Sequence, residues 1–153
     1  MQDIRTALYT ILSSDPTIVS YLGNGTDSIY NERDLIADDN LVYPLIVLTY
    51  QGTKASSACS RDVTNEEWTI RAFNQNKGYE TIDRVKQRCK QLLHNQEANL
   101  AAALLAVPAQ QQMGRSILGS QWVWWTPEYY DGFFNAENGG ARFRFTMQEA
   151  AYS

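Results

Sequence analysis

Around Gly78 the spacing of apolar residues changes, and this one transition restricts the fold more than any other feature of the chain. In the stretch EEWTIRAFNQ, Trp68, Ile70 and Ala72 alternate with Thr69, Arg71 and Phe73 at period two, the repeat of a β-strand. Beyond Gly78, Tyr79, Ile82, Val85, Cys89, Leu92 and Leu93 recur at helical spacing. Glu80 and Asp83 come early and Arg88, Lys90 and His94 late, matching the helix macrodipole. A strand must therefore run almost directly into an amphipathic helix over residues 78 to 94.

The same reasoning extends in both directions. Ile4, Leu8, Ile11 and Leu12 form one stripe of a helix over residues 2 to 13. In DPTIVSYLG, Asp15 can cap free amides, Pro16 suits the first helical position and Gly23 can take a left-handed exit, so residues 15 to 23 form a second short helix. Residues 23 to 40, rich in turn formers and charge, are expected to be a long surface loop. The apolar run Leu45 to Leu48, between Pro44 and Gly52, reads as a strand covered on both faces near the sheet centre. It leads through the polar TKASSACSRDV to its hairpin partner. Residues 97 to 107 continue as helix up to Pro108.

In SILGSQWVWW, Trp122 and Trp124 are expected on one strand face and Val123 and Trp125 on the other. ARFRFTMQ alternates Ala141, Phe143, Phe145 and Met147 with Arg142, Arg144, Thr146 and Gln148, and TPEYYDGFFNAENGG is the loop joining this second antiparallel pair. The order predicts one α+β domain over residues 1–153: an antiparallel sheet of about four strands with helices packed on one face.

Composition narrows function. Lys plus Arg is 13 against 17 for Asp plus Glu, a net charge of −4, whereas a domain gripping phosphate backbones carries a basic excess. Cys59 and Cys89 lack metal-site or disulfide-framework spacing and read as free thiols of a reducing compartment. MQDIRTALYTILSSDP lacks the pattern of a signal peptide, and the apolar run Leu100 to Val107 is far short of the ~20 residues that span a bilayer, so no membrane partner is expected.

Few residues suggest chemistry. The single histidine, His94, ends the surest helix and reads as a C-terminal helix cation; Cys89 lies on that helix's apolar stripe and reads as a small buried thiol. Gly23 and Gly25 in LGNGTDS lack the rest of any phosphate-cradling motif. The pairs Asp38/Asp39 and Glu66/Glu67 could ligate a hard cation or divide acid and base roles, but they lack further ligands in register and read first as solvated surface. Arg142 and Arg144 line one face of the last strand, exposed or paired with a neighbour's carboxylates. Neither an enzyme nor a cofactor or metal site is expected.

The stretch QWVWWTPEYYDGFF, residues 121 to 134, holds seven of the chain's Phe, Trp and Tyr residues. It contains no Lys or Arg and carries Glu128 and Asp131, which disfavours base stacking; carbohydrate binding stays open. Core plus subunit contact is the preferred reading, with Trp122, Trp124, Tyr129, Tyr130, Phe133 and Phe134 forming or supporting a contact patch.

Four stretches together resemble the phage tail terminator family, also described as tail completion or tail-to-head joining proteins. IRTALYTILSSDPTIVSYLG is similar to its opening helix and short Asp-led second helix, and IYNERDLIADDNLVYPLIVLTYQG to its loop and Pro-started strand. EEWTIRAFNQNKGYETIDRVKQRCKQLL resembles its strand and helix, and GGARFRFTMQ its final strand; Gln96 to Arg115 and the aromatic run depart from the pattern. The resemblance implies a non-enzymatic ring, usually a hexamer, that docks on the tail tube, stops its growth and meets the head connector. It implies a place in the virion at the head–tail junction, after assembly in the host cytoplasm. The aromatic segment and the charged loop holding Asp38 and Asp39 are candidates for the two patches such a ring needs. An acidic ring would let DNA pass its lumen without sequence-specific binding. A head-side neck or stopper protein and a carbohydrate-binding host-attachment module remain alternatives.

Overall fold

A computed structural model describes residues 2–35, 40–55, 62–75 and 78–149. Helix α1 (Gln2–Ser13) buries Ile4, Ala7, Leu8 and Leu12, and α2 (Pro16–Tyr21) starts where the Asp15 carboxylate accepts the Ile18 N–H at 2.9 Å. Its far end departs from expectation: Leu22 is an extended cap, and Gly23 has no left-handed backbone. Glycine is needed there for space, because a Cβ would lie 2.3 Å from the Tyr43 carbonyl oxygen.

The stretch expected to be a long loop contains a 3₁₀ turn (Gly25–Ser28), a short strand β1 (Ile29–Asn31) and a one-turn helix α3 (Glu32–Leu35). β1 pairs parallel with β2 (Leu45–Ala55), Ile29 opposite Ile46 and Asn31 opposite Leu48. β2 pairs antiparallel with β3 (Val63–Asn74), and β3 with β5 (Ala136–Gln148), which in turn holds β4 (Ser116–Asp131) at the edge. The sheet is therefore five-stranded, in the order β1-β2-β3-β5-β4, and mixed through its β1 edge. The middle strand is β3, and β2 lies next to an edge. Leu45 to Leu48 are nevertheless buried on both faces, as their unbroken apolar run requires.

The helix predicted from the period change is α4 (Glu80–Leu93), and α5 (Glu97–Leu105) follows it. Ile82, Val85, Cys89 and Leu93 of α4 join Ile4, Leu8 and Leu12 of α1, Ile18 of α2 and Leu100 of α5 over one sheet face. That face supplies Ile46, Leu48, Trp68, Ile70, Ala141, Phe143, Phe145 and Met147, so α1, α2, α4 and α5 all serve one core. The opposite face holds a smaller cluster of Leu45, Val47, Phe73 and Ala136, with Tyr43 and Phe134 against it.

The final strands differ most from expectation. Most of TPEYYDGFFNAENGG is strand, and only residues 132–135 form the turn between β4 and β5. β4 is interrupted three times, between Ile117 and Gly119, Trp122 and Trp124, and Thr126 and Tyr129. The extra residue at Val123 reverses the alternation: Trp122 lies opposite Phe143 and Trp125 opposite Ala141, both facing the helices, while Trp124 lies opposite Arg142 on the other face. Trp122 thus shares a face with Trp125, their rings 5.0 Å apart, and the expected pairing of Trp122 with Trp124 does not occur. Pro127 falls in this edge strand, where no inner ladder loses a donor.

Two glycines of the sheet give a test. A Cβ at Gly140 would stand 2.4 Å from the Ile70 carbonyl oxygen and 2.9 Å from Arg71 Cα, both backbone atoms, while one at Gly119 would meet nothing nearer than Thr146 at 3.8 Å. Gly140→Ala should lower the free energy of urea unfolding by about 1–3 kcal/mol, as overpacking does. Gly119→Ala should change it little.

Candidate interface

The two glutamates before Trp68 face opposite sides of the sheet, as neighbours in a strand must. Glu66 is fully buried on the helix side, where it accepts from Trp68 Nε1 at 2.8 Å and from Arg115 at 2.5 Å. Arg115 also reaches the buried Asp3 carboxylate, through Nε at 3.0 Å and a terminal nitrogen at 2.5 Å. Burial alone would lower the arginine's pKa, yet the hydrogen bonds it donates to Asp3 and Glu66 raise it above its ordinary value. This buried triad ties α1, β3 and the entry to β4 together, so Glu66 is a buried structural carboxylate where solvated surface was the expectation.

Glu67 lies on the face that α1, α2, α4 and α5 leave open. It binds Arg142 at 2.5 Å and Arg144 at 2.9 Å, and is more buried than either arginine. Burial raises its pKa, but the two arginines outweigh that and hold the carboxyl below its usual range. The exposed expectation for Arg142 and Arg144 is thus corrected: both are half-buried or better and engaged with their own chain's Glu67.

Across β5, the Arg142 guanidinium stands 5.0 Å from the centre of the Trp124 ring. Arg71 of β3 stands 5.4 Å from the Tyr129 ring and donates to the Tyr129 hydroxyl at 2.7 Å. Cations absent from residues 121–134 are therefore supplied by neighbouring strands, and the ground on which base stacking was disfavoured does not hold in three dimensions. Toward the hairpin turn, Phe134 packs on Phe73 with centroids 4.9 Å apart, beside a concavity of about 360 Å³ lined by Val47, Thr49, Thr69 and Arg71.

The six expected aromatic contact residues divide. Trp124, Tyr129 and the covered Phe134 belong to the open face; Phe133, 86% exposed, caps the turn. Trp122 faces α4, where Lys90 Nζ is 3.9 Å from its ring centre, and it is part of the core's margin. Tyr130, opposite Glu137 and 55% exposed, projects on the helix side beyond the core, its hydroxyl bound to Asn135. Asp38 and Asp39 lie outside the described residues. Arg71 and Glu67 complete the surface, and period two in β3 opposes both to Trp68, Ile70 and Ala72.

His94 is an acceptor. Its Nδ1 takes the Trp122 backbone N–H at 3.0 Å, which ties the end of α4 to β4. Cys89 is buried, and burial pushes its thiol up to about 12. Among the described residues, no group of three or more His, Cys, Asp and Glu side chains could hold a metal ion, and no helix is long and apolar enough to cross a membrane.

These features define a two-layer α+β chain with a helix-covered sheet face and an open face of paired arginines and aromatic rings. Among solved structures, it is similar to a chain described as "Virion of native gene transfer agent (GTA) particle", with a TM-score of 0.63 and 10% identity, over 92% of this chain and 91% of that one. The likeness is one of fold. No family model matches the sequence, and no curated protein matches it.

Arg115→Ala should cost about 3–5 kcal/mol in chemical unfolding, because it leaves two buried carboxylates without their cation. For Glu67 the folded pKa is depressed, so its stabilisation is full above the unfolded carboxylate pKa, about 4.3, and is lost as pH falls through the folded value. Glu67→Gln should therefore be less stable than the parent near pH 7, and the two denaturation midpoints should converge in acid.

Proposed function

We propose that this chain is a structural virion protein that forms a ring on the end of a phage tail tube, stops its elongation and joins the tail to the head connector. The observation that carries the reading is the likeness, across nine-tenths of both chains, to a fold found in a gene transfer agent virion. The tail-terminator resemblance of the four sequence stretches supplies the position within the virion. Hexameric closure and docking on a tube protein belong to this reading.

The open sheet face fits contact with a protein. Trp124 is 48% exposed and Tyr129 41% exposed, each beside an arginine, and Trp, Tyr and Arg are the residues on which binding energy concentrates. Those same arginines stand over the rings that a sugar would stack on, which favours a protein partner over a glycan. The ring's net negative charge would keep DNA in its lumen from adhering.

Purified protein added to growing tail tubes should bind their ends and fix their length, as seen by electron microscopy. Tubes that elongate unchanged, with the protein instead bound to head connectors, would favour a head-side neck or stopper role. Trp124→Ala should reduce ring formation roughly tenfold or more, as expected of a central interface tryptophan. Its monomer should keep the parent's thermal unfolding, since this half-exposed ring fills no core cavity.

A further inference from the structure

Charge is distributed unevenly over the sheet. At one edge, β1 and the turns flanking it carry exposed Asp27, Glu32 and Asp34, and among the described residues none of the three is in an ion pair with Lys or Arg. Toward the other edge, β5 presents Arg142 and Arg144 on the open face beside the exposed Trp124, and among the described residues Glu67 of β3 is the one carboxylate ion-paired with them. One carboxylate shared by two arginines leaves positive charge over.

Glu32 lines one concavity with Arg71, but neither it nor Asp27 or Asp34 is ion-paired with Arg142 or Arg144. In the order β1-β2-β3-β5-β4, β1 and β5 are three strand spacings apart, about 14 Å. The screening length at physiological ionic strength is about 8 Å, so attraction between them across the sheet is largely lost. Contact can be made only by bringing up a second surface.

We propose that the acidic β1 edge of one copy docks against the Arg142, Arg144 and Trp124 end of the open face of a second copy, head to tail. The inference rests on the ring reading for closure of the assembly and adds which surfaces meet. The two patches differ in sign and position, so the contact is heterologous: each copy retains a free acidic edge and a free arginine face, and addition continues until the ring closes. Desolvation of Trp124 beside Arg142 places an aromatic and a guanidinium at the centre of the contact, with charge pairs around them.

The test uses charge reversal in the full-length protein, with assembly followed by mass photometry and folding by circular dichroism. Arg144→Glu alone should weaken self-association by tenfold or more, and so should the double variant Glu32→Lys with Asp34→Lys, whose sites are solvent-exposed and carry little folding risk. Mixed in equal amounts, the two proteins should assemble again with the copies alternating, because each supplies the patch that the other's altered surface requires. Rising salt should weaken the parent assembly.

Rings that form unchanged from both variants would overturn this interface while leaving the ring reading in place. A parent protein that stays monomeric at all concentrations, with or without tail tubes, would overturn both. Failure of the mixture to assemble, with both variants folded, would show that the two patches do not meet. Retention of a single-stranded oligonucleotide by the parent but not by Arg144→Glu, with oligomer state unaltered, would assign the arginines to nucleic acid and overturn the proposal.

Discussion

The pairing of β3 with β5 organises the molecule. It runs without a register shift from Val63 opposite Gln148 to Asn74 opposite Glu137. With no bulge to interrupt it, period two sorts side chains cleanly. Trp68, Ile70, Ala141, Phe143 and Phe145 enter the helix-covered core, whereas Glu67, Thr69, Arg71, Arg142 and Arg144 take the other face. A slip of one residue would drive the arginines into α1 and α4 and expose the aromatic core, so the ladder and the two-layer architecture enforce one another. The Arg–Glu–Arg cluster is a product of that register: Glu67 sits opposite Arg144 and diagonal to Arg142, and receives both.

β4 solves a different problem. As the edge strand it would offer a long, apolar, flat template to any other chain, which natural sheets avoid. Its three irregularities break that template, and they also divide the aromatic residues between two jobs. Trp122 and Trp125 extend the core toward Lys86 and Lys90 of α4, and Glu128, displaced beyond Pro127, reaches Lys86 Nζ at 2.7 Å. Trp124 and Tyr129 go to the open face. One sequence thus supplies both the packing that seals α4 to the sheet and the exposed rings available for contact.

Much of this layout was legible because it is periodic. α1 and α4 carry an apolar stripe, α2 a cap and α5 a following proline, and β2, β3 and β5 show apolar runs or strict alternation. What escaped has no local signature. β1 is three residues long and exists because β2 offers it an edge. The Val123 bulge leaves no mark in QWVWW, so alternation put Trp122 and Trp124 together, and tertiary pairing with β5 separated them. Arg115 was invisible for another reason: its partners are 112 and 49 positions away in the chain, and only the packing of α1 against the entry to β4 unites them. The same blindness to cross-strand neighbours made residues 121–134 look devoid of cations, when Arg71 and Arg142 stand over two of their rings.

The two ion clusters on either side of β3 illustrate how burial assigns roles to identical chemistry. Glu66 and Glu67 are adjacent carboxylates, each bound by arginine. On the core side, Glu66, Arg115 and Asp3 are all removed from water, so their contacts are fixed geometry. On the open face, Arg142 and Arg144 keep a quarter or more of their side-chain surface in solvent, and a guanidinium has more donors than one shared carboxylate can occupy. A buried arginine held between buried acids is a structural element; a half-buried arginine sharing one acid retains binding capacity. By that criterion the surface for a partner lies on the Glu67 side of the sheet, and the aromatic rings that share it are the ones the β4 bulges turned outward.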